Sequence, residues 1–412
     1  MLSKDVNFYY RQILEKYPNS YFTQDLNKVI IGIDCEYLDA NSMTFSELKA
    51  KFYECAAGEK LCEYAGFFGV LSANFIHLFE NLPSLERENY DFPSFLFANA
   101  RAYLLYEKNS KMFFQFGENQ YFDFLSENYI CPQKNKAEFS ILNDLEEEQK
   151  SYETMVKKAK EYLLSGDIFQ VVLSKQLCIR HNINAFDYYE TLSLENPSAY
   201  MFYFPTKYGV VLGSSPELLL SIKQKEIFTA PIAGTRNLDE NSDISVLEKE
   251  LLEDEKELSE HRMLVDLARN DISKFGENTR VEKLYSILKS KYVMHIVSEV
   301  YATLREEASI FDAIGALFPA GTLSGAPKIR ALEIINELEN LDRGVYGGAV
   351  GFLNFNENVV LALIIRSAFF KDDKAYISSG AGIVLQSKAE KEYAEICAKR
   401  RALLATFERL TK

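Results

Sequence analysis

The segment Tyr208–Thr229, YGVVLGSSPELLLSIKQKEIFT, is the stretch that decides the fold class. Tyr208–Gly213, Leu218–Ile222 and Glu226–Thr229 read as strands of a meander, and Ile168–Ile179 upstream reads as a further strand. Beyond it the period changes. Residues 245–273, 308–317 and 327–339 are strongly helical, Val359–Phe370 and Ala375–Ser379 return to strand, and 388–410 is a long final helix. Runs of strands interleaved with runs of helices favour an α+β layered sandwich over a regular βαβ alternation. Residues 1–140 are rich in aromatic side chains and weaker in pattern. Val29–Ile33, Phe67–Val70 and Lys111–Phe116 suit short strands there, and the charged stretch 134–147 reads as a linker entering a helix near 145–164. The expected division is therefore an N-terminal part, 1–140, and a second region, 141–412.

Composition narrows the partners. The 412 residues are 47% hydrophobic and 26% charged, enough apolar material for a large core. A net charge of -14 with no basic stripe argues against nucleic acid. No run approaches the length of a membrane span, and the start MLSKDVNFYYRQILEKYPNS has no apolar signal core, so a soluble, cytoplasmic chain without membrane contact is expected. Six cysteines at 35, 55, 62, 131, 178 and 397 form no CxxC pair, and the four histidines lie far apart. No soft-metal site announces itself, and the thiols are expected to be reduced.

Carboxylates stand where a plain amphipathic helix would not put them. Glu260 heads the same stripe as Met263, Leu264 and Leu267, with Glu257 three residues earlier. An ionised carboxylate in such a stripe is poorly solvated unless something compensates it. In the last helix Glu392, Glu395 and Lys399 share a face. A solvated charged surface and a hard-cation site of the Mg²⁺ type, with oxygen ligands shared with an anionic substrate, both remain open on these residues alone. Gly321-Thr-Leu-Ser-Gly-Ala-Pro-Lys328 precedes a helix, with Pro327 suited to its first turn, and a helix start can hold an anion. Gly347-Gly348 and Gly380-Ala381-Gly382 sit beside strands, where small residues permit close ligand approach, although a tight turn explains such glycines as well. Arg366, inside the apolar strand LALIIRSAFF, is sharper: a buried arginine needs an anion, and a substrate carboxylate would serve.

Taken in order, GDIFQVVLSK (166–175), NPSAYMFYF (196–204), SSPELL (214–219), PIAGTR (231–236), ELSEHRMLVDLARND (257–271), MHIVS (294–298), GTLSGAPK (321–328), YGGAVGF (346–352), IIRSA (364–368), GAGIV (380–384) and the final E-x-x-E-x-x-x-K (392–399) resemble the chorismate-utilising enzyme family. The segment YAGFFGVLSANFIHLFENLP (64–83) is similar to that family's N-terminal part. The resemblance implies an α-β-β-α sandwich with one pocket. In it Glu260 and Glu395 would hold Mg²⁺ with the substrate's ring carboxylate, supported through water by Glu257 and Glu392. Tyr346, Arg366, Lys399 and the backbone at Gly380, Ala381 and Gly382 would grip chorismate's carboxylates, with Gly234 and Thr235 also on the substrate. Glu217 would act as the acid at the departing hydroxyl, with Thr322 nearby, and His295 would assist loss of pyruvate.

Three positions point to the anthranilate-forming branch of this family. Ala233 stands where aminodeoxychorismate-forming relatives carry a nucleophilic lysine, and Gln170 where isochorismate-forming relatives carry a lysine base for water. His295 also suits that branch. An aminodeoxychorismate-forming enzyme working without the lysine, and a non-catalytic regulatory homologue, are the alternatives. Members of this branch take ammonia from a glutamine amidotransferase subunit, and none of the six cysteines here resembles a glutaminase nucleophile. Tryptophan-inhibited members bind their effector against a wall that corresponds to Asn196, Tyr200 and Met201. The opposite wall, L-L-E-S in such members, is Phe22-Thr23-Gln24-Asp25 here.

Overall fold

The structure, a computed structural model, describes residues 2, 4–83, 89–131, 136–238, 243–289 and 293–412, without the side chains of Thr235, Asn237, Lys256 and Val293. Its strands form one antiparallel ladder. From one end, Phe139–Ile141 pairs with Gln170–His181, followed by Lys374–Ile383, Ser367–Lys371, Gly209–Ser215, Tyr200–Thr206 and Tyr21–Gln24. The ladder continues through Lys28–Asp39, Phe95–Glu107, Gly66–Leu71, Ala349–Asn354, Val359–Leu363, Leu218–Lys223 and Glu226–Thr229. It ends on Val293–Leu304, which also pairs with Gly276–Lys289 and Ile232–Asn237.

The ladder is folded back on itself, and the alternation of side chains explains how. Phe204, from the first half, lies 5.3 Å from Phe68 of the second half, and Tyr21 lies 6.0 Å from Phe352. These rings fill the space between two stacked sheets. Their strand neighbours point the other way, as the two-residue period requires. Phe370 meets Tyr188 and Phe407 from helices Ala185–Glu195 and Ala389–Leu410, and Phe67 meets Phe52 from helix Phe45–Ala57. Helices therefore cover both outer faces, giving the α-β-β-α sandwich. The N-terminal strands are woven into the same ladder as the rest, because Gly66–Leu71 pairs with Ala349–Asn354 and Tyr21–Gln24 with Tyr200–Thr206.

Local chemistry sets the helix ends. Thr44 and Glu47 cap each other at the start of helix Phe45–Ala57, as do Ser309 and Asp312 at Ile310–Leu317. Helix Leu145–Ser165 starts on the Asp144 cap and stops at Gly166, whose φ of 83° suits glycine. In the last helix the buried residues Tyr393, Ile396, Arg400, Leu403 and Phe407 recur at helical spacing. Arg400 is tolerated there because Glu148 accepts its guanidinium at 2.7 Å and the Tyr393 hydroxyl at 3.0 Å.

Four expectations need correction. The helix 245–273 is two helices, Ile244–Glu253 and Glu255–Ser273, broken at Asp254, whose carboxylate accepts the Glu257 N–H and pairs with Arg236 at 2.8 Å. The strand Val359–Phe370 is also two, Val359–Leu363 and Ser367–Lys371, because Arg366 takes a left-handed φ of 52°. The described part of the linker 134–147 contains a strand, Phe139–Ile141, while 134 and 135 lie outside the described residues. Pro327 precedes helix Lys328–Glu339 instead of opening it. The 13-residue strand Phe95–Glu107 escaped the sequence reading, because FLFANARAYLLYE has no clean alternation and only its neighbours on both edges fix it.

No described helix is long and apolar enough to cross a membrane, and all six cysteines are free thiols. Phe204 is fully buried between the sheets. Phe204→Ala is expected to lower unfolding stability by about 3–5 kcal/mol, measured by urea denaturation. A change under about 1 kcal/mol would show that the two sheets do not depend on this contact.

Candidate functional site

The site lies where two neighbouring strands change sheets together. Gly209–Ser215 and Ser367–Lys371 pair in the first half of the ladder, while their continuations, Leu218–Lys223 and Val359–Leu363, pair in the second. The connecting turns run side by side and are pinned to each other. Leu363 N–H donates to the Glu217 carbonyl at 2.9 Å, and Ser214 N–H donates to the Arg366 carbonyl at 3.1 Å. Ile364 exchanges backbone hydrogen bonds with Gly347 and Gly348. A Cβ at Gly348 would lie 2.1 Å from the Leu71 carbonyl oxygen, so the strand-end glycines allow this close approach. Glu217 and Arg366 are thereby brought to one place by backbone geometry.

Their electrostatics are linked. Burial pushes the Glu217 carboxyl up to about 7, against the opposing pull of the nearby Thr322 hydroxyl and of Lys399 and Arg366. Burial holds the Arg366 guanidinium below its ordinary range, with Tyr346, Glu217 and Glu395 acting in the other direction. A protonated carboxylic acid thus stands near a desolvated cation, which suits an anionic substrate with a leaving group to be protonated.

Other elements close around this pair. His295, on strand Val293–Leu304, donates its Nδ1–H to the Gly234 carbonyl at 3.1 Å when the imidazole is neutral. Burial pushes its pKa down, Gly234 raises it, and Arg366 and Lys399 lower it further. The neutral ring then offers Nε2 as a base. Lys399 donates to the Gly380 carbonyl at 2.8 Å and pairs with Glu395 at 2.7 Å. Gly380, Ala381 and Gly382 lie within strand Lys374–Ile383. A Cβ on Gly380 would sit 2.9 Å from Tyr346 Oη, and one on Gly382 would sit 2.5 Å from Gln170 Nε2. The buried Gln170 Oε1 accepts no hydrogen bond.

Helix Glu255–Ser273 supplies the remaining wall. Glu257 Oε2 lies 3.2 Å from where a Gly234 Cβ would be, and Glu257 Oε1 is 3.6 Å from Arg236. Leu264 lines a small cavity together with Glu217 and Thr322. Glu260 falls between Glu257 and Leu264 on the same helical face and is half-buried. Glu392 is buried beside Tyr152, and Glu395 is exposed. Thr235 is placed as backbone opposite His295, while its side chain lies outside the described residues.

Met201 lies against the first strand, Tyr200 precedes it, and Asn196 caps the end of helix Ala185–Glu195. Gln24 donates to Tyr189 Oη at 3.1 Å and to Met201 Sδ at 3.8 Å, and Thr23 donates to the Met201 carbonyl at 3.0 Å. Ser214 connects the two regions, since its hydroxyl donates to the Asn196 carbonyl and its N–H to that of Arg366. Lys328, which follows the loop glycines, is turned inward to Asp271 at 2.7 Å. The sequence reading missed Arg343 and Glu339, a buried ion pair beside Tyr346. Their four-residue spacing at a helix end was the only signal, and it resembles an ordinary surface pair. A polar cleft of about 310 Å³ on the far side of this pair, lined by Glu148, Ser174, Lys175 and Asp342, contains none of the expected site residues.

The sequence profile described as chorismate binding enzyme matches residues 11–405. The chain belongs to that family. Among similar chorismate-binding relatives, the anthranilate synthase component 1 of Acetivibrio thermocellus is 48% identical over 279 residues, covering 67% of this chain and 56% of that protein. That of Aquifex aeolicus is 46% identical over 263 residues, covering 63% and 53%. The chain therefore matches little more than half the length of these relatives. A crystal structure of anthranilate synthase component I from Streptococcus pneumoniae superposes with a TM-score of 0.77 at 28% identity, covering 98% of this chain and 94% of that one. The menaquinone-specific isochorismate synthase of Escherichia coli reaches the same TM-score at 18% identity over 100% and 92%, which shows a shared fold and nothing about the reaction.

The elevated Glu217 has a stability consequence. Its protonated form favours the folded chorismate-binding fold below the ordinary carboxylate range, and that contribution is lost as pH rises through about 7. Glu217→Gln mimics the protonated acid. It is expected to raise the melting temperature relative to the unsubstituted chain more at about pH 8.5 than at about pH 5. Equal differences in the two buffers would mean that Glu217 titrates normally.

Proposed function

We propose that this chain is the large subunit of an anthranilate synthase, converting chorismate and ammonia to anthranilate and pyruvate at the first committed step of tryptophan biosynthesis. The observation that carries the reading is the meeting of a carboxyl held near pH 7, Glu217, with the buried cation Arg366 and the neutral imidazole of His295. Ala233 and Gln170 add the choice of nucleophile, since neither side chain can attack the ring or deprotonate water. Ammonia itself is then the nucleophile.

The residues divide the work. Arg366, Tyr346 and Lys399, with the Gly380–Gly382 backbone, hold the carboxylates of chorismate. Ammonia adds at C2 as the C4 hydroxyl leaves, and Glu217 gives that hydroxyl its proton so that it departs as water. His295 Nε2 then assists removal of the C2 proton as the enolpyruvyl group leaves, to become pyruvate. Aromatisation of the ring drives this second step.

The donor set suits Mg²⁺. Glu260 and Glu395 offer carboxylate oxygens from two helices, with Glu257 and Glu392 one helical turn away from them. Among the described residues, no three His, Cys, Asp or Glu side chains form a closed cage. In this reading waters and the substrate's carboxylate would complete the ion's shell beside Glu260 and Glu395. When bound, Mg²⁺ supplies Lewis-acid charge stabilisation and a template for the ring carboxylate. The partner in this reading is a glutaminase subunit that delivers ammonia, and tryptophan is an inhibitor binding at Asn196, Tyr200 and Met201.

Two assays test the reading. The purified chain with Mg²⁺ should make anthranilate from chorismate and ammonium, but from glutamine only after a glutaminase subunit is added. Another aromatic product, or glutamine use by the chain alone, would sink it. EDTA should abolish turnover, and Glu260→Gln or Glu395→Gln should lower it at least ~100-fold, about 2.7 kcal/mol of transition-state stabilisation. Full activity in either variant would remove that residue from the metal site.

A further inference from the structure

Arg343 is the best-satisfied buried cation near the site, and no step above uses it. Its side chain is 10% exposed and that of its partner Glu339 is 4% exposed. The guanidinium meets Glu339 in a fork, Nη2 to Oε1 at 2.6 Å and Nε to Oε2 at 2.8 Å. Nη1 donates to the Leu323 carbonyl at 2.6 Å, and Nη2 donates to the Val172 carbonyl at 2.7 Å. Glu339 Oε1 also accepts the Ser174 N–H at 2.6 Å and the Ser174 hydroxyl at 2.9 Å. The cation lies 5.8 Å from the centroid of the Tyr346 ring, and the Tyr346 N–H donates to the Arg343 carbonyl at 3.1 Å.

Gly325–Ala326 already pairs with Gln170–Val171, and Val172 N–H donates to the Ser324 carbonyl at 2.9 Å; the fork extends this tie to Leu323, Glu339 and the Tyr346 segment. Leu323 ends the short turn Gly321–Leu323 that presents Thr322. Val172 and Ser174 lie on the strand paired with Gly382 and Gly380. Tyr346 reaches Gly380 with its hydroxyl and lies within electrostatic range of Arg366 and Glu217. One planar fork therefore spans a loop carbonyl, a strand carbonyl and a carboxylate at the same time.

We propose that Arg343 is a positioning residue, whose guanidinium fixes the Thr322 turn and the Tyr346 ring against the strand that carries the glycine backbone of the substrate pocket. The inference rests on the anthranilate-forming reading above and concerns geometry, not charge. Lysine keeps the charge but has a single ammonium, which cannot span these acceptors. Thr322 and Glu217 line one small cavity, and the buried Thr322 hydroxyl favours the Glu217 carboxylate, so loosening the turn should move that hydroxyl away and raise the Glu217 titration.

The test is Arg343→Lys in the full chain, with kcat measured from pH 6 to about 9 at constant free NH₃. The expected result is a loss of at least ~10-fold in kcat and a basic limb displaced to higher pH, with a cooperative thermal melt retained. In a Thr322→Val background the same substitution should leave the limb where it is. Unchanged kcat and an unmoved limb in Arg343→Lys would overturn the proposal, as would an equal displacement with and without Thr322. Should Arg343→Lys lose its cooperative melt, Glu339→Asp is read in its place against the same two outcomes. An inactive unsubstituted chain would overturn the anthranilate reading and this inference with it, whereas an active chain with an indifferent variant overturns only the inference.

Discussion

Everything at the site depends on two antiparallel strands that leave one sheet and enter the other at the same level. A strand crossing alone would expose unpaired backbone groups in the interior. Here each turn satisfies the other: Leu363 N–H goes to Glu217, Ser214 N–H goes to Arg366, and Ile364 is held by Gly347 and Gly348. The left-handed φ of Arg366 is part of that arrangement, since the chain must bend sharply between Leu363 and Ser367. Glu217 and Arg366 therefore face one another because the backbone has no other economical route between the sheets.

The same arrangement explains the chemistry. Glu217 and Arg366 are half-buried on these turns, and loss of solvent raises the Glu217 carboxyl to about 7 while it lowers the Arg366 guanidinium. The two charged helices then add Lys399, Glu395, Glu257 and Glu260 around this dry centre. His295 Nδ1 is held by the backbone carbonyl of Gly234, which fixes a proton on that ring nitrogen. Glu217, His295 and Arg366 thus come from different parts of the chain. Burial disfavours the charged form of each, raising the Glu217 carboxyl and lowering His295 and Arg366.

Regions away from the centre are coupled to it through few contacts. Ser214 touches both Asn196 and Arg366, so the segment Asn196–Met201 is one residue removed from Arg366. Gln24 occupies Tyr189, Met201 and Lys108 at once. The stretch Phe22–Asp25, atypical in sequence, is thus firmly built into this end of the fold.

By itself the sequence determined the fold class, the meander, the final helix and the family, because strand and helix periods and eleven ordered motifs are local properties. From the residues alone it also singled out Arg366 as a cation in an apolar run and Glu260 as a carboxylate on an apolar stripe. Only the tertiary structure decided that Arg366 stands in a bend and not in a strand. Ile364 and Ile365 favour extended backbone, and the bend is imposed by pairing partners in two different sheets. It also revealed Arg343 and Glu339, whose spacing looks like a surface pair until Leu323, Val172 and Ser174 close around them. Local sequence sets what each residue prefers, but burial and long-range pairing set which preferences are overruled, and those quantities exist only once the chain is folded.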